Sequence, residues 1–172
     1  MDWTPAEVCQ TAYRRLKSLT PLRIDCGRLC NQTCCQESDE ELGMYLFPGE
    51  AELLSEQAEF LEIEPTAMQF LPAKPVWFAS CHGHCRRELR PLACRIFPLT
   101  PFITAKGLLT TIIDPRARTV CPLARPEQRP ELHPQFIRAV RDIGHLLNQH
   151  AEIHRYLVWL SSVLEEYREL PF

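Results

Sequence analysis

Eight of the nine cysteines fall into groups close enough in sequence to act together. Cys26, Cys30, Cys34 and Cys35 lie within ten residues, Cys81 and Cys85 are followed by Cys94, and Cys121 stands alone before Pro122. Thiols three or four residues apart on a loop can turn both sulfurs toward one centre at about 2.3 Å, and one site needs about four such ligands. Ordinary packing does not call for four cysteines in ten residues. The spacing therefore predicts that three separate stretches converge on a metal, with these eight thiols as candidate ligands. Cys34 and Cys35 are adjacent, and successive side chains of an extended chain face opposite ways, so one of the pair is expected to serve another role or a second metal.

Thiolate donors suit zinc and iron-sulfur clusters alike, so ligand softness leaves both open. Cys121-Pro122 echoes the Cys-Pro ending of bacterial ferredoxin runs. His82 and His84, inside Cys81-His82-Gly83-His84-Cys85, could each replace a thiolate as in Cys3His zinc sites, although the thiols already suffice and a place beside the ligands is favoured. Arg86, Arg87 and Arg95 are the residues best placed to stabilise thiolates and to offset the negative charge of a bound cluster. Cys9 differs from the other eight. With Ala12, Tyr13 and Leu16 it forms an apolar helical stripe, which points to a core thiol.

The cysteine loop ending in Cys34-Cys35, the later pair Cys81 and Cys85, and the run Arg90-Pro91-Leu92-Ala93-Cys94-Arg95-Ile96-Phe97-Pro98 together resemble the YkgJ-type cysteine-cluster family of zinc- or iron-chelating proteins. Its hallmarks are a CxxCxxCC loop and a downstream RPxxCRxFP element. The second is matched as it stands, while the first loop here has three residues between successive cysteines and Thr33 where a glycine is usual. The resemblance covers roughly Cys26 to Cys121. It implies a chelated metal, and the similar cysteine arrangement of the flagellin lysine methylases, which carry an iron-sulfur cluster, favours a cluster, 4Fe-4S in type, over zinc.

Composition is that of an ordinary soluble globular chain, hydrophobic at 45% and charged at 24%, which excludes disordered and fibrous classes. No apolar run approaches the roughly 18 residues of a membrane span, and the first residues carry no secretory signature. A cytoplasmic, reducing location is expected, where clustered cysteines are metal ligands before they are disulfides. A net charge of −3 gives no global case for nucleic acid. Charge is uneven, however. Acidic residues gather from Glu37 to Glu64 and basic ones from Arg86 to Arg129, which suits an acidic protein partner better than nucleic acid, since no aromatic interleaving accompanies the arginines.

The elements that must position these thiols follow from local patterns. Thr4 as N-cap, Pro5 at the first helical position and Glu7 closing a capping box predict a helix to about Ser18, with Trp3 and Val8 as its hydrophobic staple. Gly49 to Leu61 predicts a short acidic helix, with Leu53, Leu54 and Leu61 inward and the acidic stretch as a solvated face. Pro65, Pro72 and Pro75 predict a broken segment with short extended pieces such as Val76-Trp77-Phe78. Phe102–Ala105 and Leu108–Ile113 around Lys106-Gly107 predict a hairpin. Two helical patterns after residue 131, bending near Asn148–His150, predict a helical pair covering the metal core.

The expected fold is α+β and mostly helical, in one domain over residues 1–172: an N-terminal helix over 1–20, a metal-stapled centre over 21–130 and a helical hairpin over 131–172. No Gly-rich phosphate loop, Ser-His-Asp signature or HExxH motif occurs. The sequence thus predicts a metal protein whose centre is structural or transfers electrons. The alternatives are a metal-supported protein-modifying enzyme of lysine-methylase type, and a thiol redox or metal-handling protein.

Overall fold

In the computed structural model, which describes residues 2–24, 26–30, 33–35, 43–55, 60–81, 87–125 and 131–169, Thr4 opens the first helix, α1 (Pro5–Leu16). Its hydroxyl accepts from the Glu7 amide, and the Glu7 carboxylate accepts from the Thr4 amide at 2.8 Å. The helix ends two residues short of Ser18. Lys17 closes it with φ at 45°, a left-handed stop that its own amide secures by donating to the Tyr13 carbonyl. Val8, Cys9, Ala12 and Leu16 form its buried stripe, so Cys9 is the core thiol expected, donating to the Pro48 carbonyl at 3.4 Å.

A single turn, α2 (Gly27–Cys30), and a tight turn over Thr33–Cys35 carry the first cysteine group. Then come β1 (Gly43–Tyr45), α3 (Glu50–Leu54), β2 (Leu61–Leu71) and β3 (Lys74–Cys81), with β3 central in a three-stranded antiparallel sheet. Two expectations change here. The acidic helix is shorter than Gly49–Leu61: residues 56–59 lie outside those described, and Leu61 already pairs with Cys81 in the sheet. The proline-broken segment is a long hairpin. Pro65 sits on an edge strand, Pro72 takes the turn, and Pro75 lies beyond the short stretch, Phe78–Ser80, that β1 covers, in a part of the hairpin where the register shifts between Pro65 and Gln69 and again between Gln69 and Leu71.

The RPxxCRxFP stretch folds as one turn of helix. Pro91 precedes α4 (Leu92–Ile96), Phe97 ends it, and the Phe97-Pro98 peptide is cis. The predicted hairpin follows as β4 (Leu99–Ile103) and β5 (Leu109–Ile113), antiparallel, with the turn at Thr104–Leu108. After α5 (Ala117–Val120) come the predicted helical pair, α6 (Pro134–Asn148) and α7 (Ala151–Glu169). The fold is α+β with helices at both ends, as expected.

The main apolar core gathers Leu16 of α1, Leu92 and Ile96 of α4, Phe102 of β4, Val140 and Ile143 of α6, and Tyr156, Leu157 and Leu164 of α7. Burying each such side chain contributes roughly 1.5–3 kcal/mol, so this interface of both chain ends is where stability concentrates. Ser161 on α7 accepts from the Ile103 amide at 2.8 Å and donates to the Leu157 carbonyl at 2.7 Å, which satisfies the edge of β4 inside the core. Two smaller groups lie beside it: Ala117, Cys121, Leu123 and Ala124, against which Cys26 packs, and Leu46, Leu54 and Ala79, the last on the strand that ends in Cys81; α4, which carries Cys94, belongs to the main core through Leu92 and Ile96.

Candidate metal centre

Cys81 is the last residue of β3, and its place is set by register: Leu61 lies opposite it and Gly43 opposite the preceding Ser80. A Cβ on Gly43 would come within 2.4 Å of the Ala79 carbonyl, so only glycine lets β1 approach so near. Cys94 is set by the helical period of α4. Leu92 and Ile96, four apart, bury toward the core, leaving Cys94 between them in sequence on another side of the turn.

Cys34, Cys81 and Cys94 all line one cavity of about 250 Å³. They come from the first cysteine loop, from β3 and from α4. The remaining wall is largely apolar, with Met44, Leu61, Phe97 and Val120, and is interrupted by Arg90, Arg116 and Thr119. Behind the Phe97 and Val120 side of this wall lies the group containing buried Cys121, against which Cys26, Phe97 and Val120 all pack. Five of the eight candidate cysteines therefore occupy one continuous region, drawn from the three stretches.

The loop that brings Cys26 there is tied down by backbone. The Pro21 carbonyl accepts from the His133 amide at 2.7 Å, and the Thr20 hydroxyl donates to the Leu22 carbonyl. Cys121 ends α5, where its amide donates to the Ala117 carbonyl at 2.7 Å; Arg125 then bonds the Arg118 and Thr119 carbonyls, satisfying the helix end.

Cys30 and Cys35 lie on the first cysteine loop and Arg87 on the tight turn Arg87–Leu89, with their side chains outside the described set; Cys85, Arg86, His82 and His84 lie outside the described residues. Among the described residues, no three His, Cys, Asp or Glu side chains stand together as a ready metal-binding group.

Arg95 places its guanidinium 4.7 Å from the Tyr13 ring centroid and donates to the Glu88 carbonyl at 2.8 Å. Among the described residues, Arg90 and Arg116 line the cavity. Arg116 is gripped bidentately by buried Asp114, at 2.7 and 3.0 Å, and reaches over the Tyr45 ring. Burial pulls its pKa down, but the Asp114 carboxylate more than offsets this, so the cation is held firmly. The Asp114-Pro115-Arg116 turn was the available sequence signal for this pair.

Glu50 also departs from the expected solvated face. It is 0% exposed and accepts hydrogen bonds from the Phe47 and Leu92 amides at 2.7 and 2.6 Å and from the Tyr13 hydroxyl. Burial raises its pKa, and these donors together with Arg95 draw it partly back. Burial raises the Tyr13 and Cys9 groups well above their ordinary values too, with the Glu50 charge adding to both.

Among the described residues that line the cavity none belongs to α6 or α7, which pack into the main apolar core. Among the described residues no helix is long and apolar enough to cross a membrane. Comparison with protein-family models, with curated proteins and with solved structures returned no match for this chain.

Proposed function

We propose that the chain holds a thiolate-bound metal centre, an iron-sulfur cluster in preference to zinc, in the cavity lined by Cys34, Cys81 and Cys94. The observation that carries this reading is the meeting of those three cysteines, from the first cysteine loop, from β3 and from α4, around one space. Cys26 and Cys121 beside the same wall extend the set of available sulfur donors, and Cys30, Cys35 and Cys85 belong to the same stretches. The donor chemistry fits either group, since thiolates bind both zinc and iron-sulfur clusters. The resemblance of Arg90–Pro98 and of the cysteine loop to the YkgJ-type family supports a chelated metal, and the likeness to the lysine methylases tips the preference toward a cluster.

When bound, a cluster would tie the three stretches together and could accept or release an electron, whereas zinc would supply the tie alone. The chain's own contribution is to hold the sulfurs, to limit water through Phe97, Leu61 and Val120, and to offset thiolate charge with Arg90 and Arg116. A second reading, thiol exchange or metal handling, is favoured by the exposure of Cys34 at the cavity mouth. A reducing compartment such as the cytoplasm suits both.

Purification without oxygen tests the proposal. Brown protein with iron and acid-labile sulfide supports the cluster, and colourless protein with stoichiometric zinc gives the site to zinc. Protein that takes up neither metal, even after reconstitution with iron and sulfide or with zinc, overturns the reading.

A further inference from the structure

We infer that Glu50 is the positioning residue of the thiol cavity, holding α4, and with it Cys94, against the remaining wall; this rests on the metal-centre reading above. Glu50 is not itself on the cavity wall. Its carboxylate is fully buried and receives three donors from three places. Leu92, the first residue of α4, donates its amide to Oε1 at 2.6 Å; Tyr13 of α1 donates its hydroxyl to the same oxygen; Phe47 donates its amide to Oε2 at 2.7 Å.

Cys94 follows Leu92 by two residues in a helix of only five, so fixing the Leu92 amide fixes the rotation that presents the thiol. The grip is doubled. Arg95, next to Cys94, lies over the ring of the same Tyr13 whose hydroxyl Glu50 receives. The backbone is shaped to allow this: Gly49 has φ of +88°, and a Cβ there would come within 2.3 Å of the Ala6 amide nitrogen at the start of α1.

A carboxylate is a costly way to fill buried space, because burying a charge requires that every lone pair direction be answered. An apolar side chain of similar size would fill the volume but leave the Leu92 and Phe47 amides unmet. What only the carboxylate does here is bind three elements in one relative placement, and α4 is the one of them that carries a cavity thiol. Glutamine is a discriminating substitute. It is nearly isosteric, yet its amide nitrogen would confront the Phe47 or Leu92 N–H, donor against donor.

The test uses cobalt(II) as the probe under anaerobic, reducing conditions, because thiolate-to-cobalt charge-transfer absorption reports sulfur coordination. Wild type, Cys94→Ser, Glu50→Gln and the double variant are compared, with circular dichroism as the check on folding. Glu50→Gln is expected to reproduce the band loss of Cys94→Ser, and the double variant to lose no more than either alone, the non-additivity of two changes acting on one ligand. Tyr13→Phe, which keeps the carboxylate and removes one donor, covers the case in which Glu50→Gln does not fold; it is expected to weaken cobalt binding roughly tenfold without changing helix content. A wild-type band kept at full intensity and affinity by the folded anchor variants overturns this inference alone. Where wild type gives no cobalt band but takes up iron and sulfide, the same variants are compared by cluster absorption with the same expected losses; no cobalt band together with no uptake of iron and sulfide or of zinc overturns the metal-centre reading, and this inference with it.

Discussion

Serine matches cysteine in size but offers a soft metal a hard, protonated oxygen, so Cys→Ser separates ligands from core thiols. Cys94→Ser, and likewise Cys81→Ser, is expected to lower metal occupancy measured by elemental analysis. Cys9 sits in the main core with its thiol on the Pro48 carbonyl. Cys9→Ser should therefore cost about 1 to 3 kcal/mol in urea denaturation and leave the metal content unchanged. Full occupancy in Cys94→Ser, or lost metal in Cys9→Ser, would move the site elsewhere. At this scale the thiols were legible because residue type and spacing alone mark them. Glu50 and Arg116 were not, since a glutamate among glutamates announces nothing until Leu92, 42 residues away, is seen to donate to it.

The elements at the two ends of the chain were predictable because their signals are local: the Thr4–Glu7 capping box and the stripes of α6 and α7 need no knowledge of the rest of the fold. The capping box carries a pH dependence. The Thr4 amide and hydroxyl lower the Glu7 pKa from 4.5, so its contribution is present above about that pH and is lost as pH falls through the lower folded value. The protection of the Thr4 amide, taken relative to its intrinsic exchange rate at each pH, is expected to fall on acidification through that window, and to lose this dependence in Glu7→Gln. The β2–β3 hairpin was not predictable, because prolines argue against strands until sheet position is known. Its turn offers a second check. Pro72 and Ala73 occupy the central positions, and Ala73 has φ of 60°, a left-handed conformation that favours glycine. Relief of about 1 to 2 kcal/mol is opposed by roughly 0.4 to 1 kcal/mol of added unfolded-chain entropy, so Ala73→Gly should leave stability unchanged or raise it by up to about 1.6 kcal/mol. A clear loss in urea denaturation would contradict the turn assignment.

Across the whole molecule, most of the apolar cohesion lies away from the thiols, with α4 as the link. The main core joins α1, α4, β4, α6 and α7, whereas among the described residues Cys26 and Cys121 rest on a group of four buried residues, and β3, which ends in Cys81, adds Ala79 to a group of three and Val76 to the main core. Such small groups offset little of the ordering entropy of the chain they hold, which costs on the order of 1 to 2 kcal/mol per residue. A structural metal can contribute about 10 kcal/mol, which is the scale of a domain's entire net stability. Removing it should therefore act locally first. A strong chelator under reducing conditions is expected to open the region from Cys26 to Cys121 to protease while α1, α6 and α7 keep their helical circular dichroism, because the interface among those three helices does not depend on the thiols. The order of the two events is the informative quantity. Simultaneous loss of both signals would mean that α4, anchored through Glu50 to α1, passes the loss of the metal into the main core. Cutting that stays as slow after full metal removal as before would mean that the small groups suffice, and that the centre has no structural role.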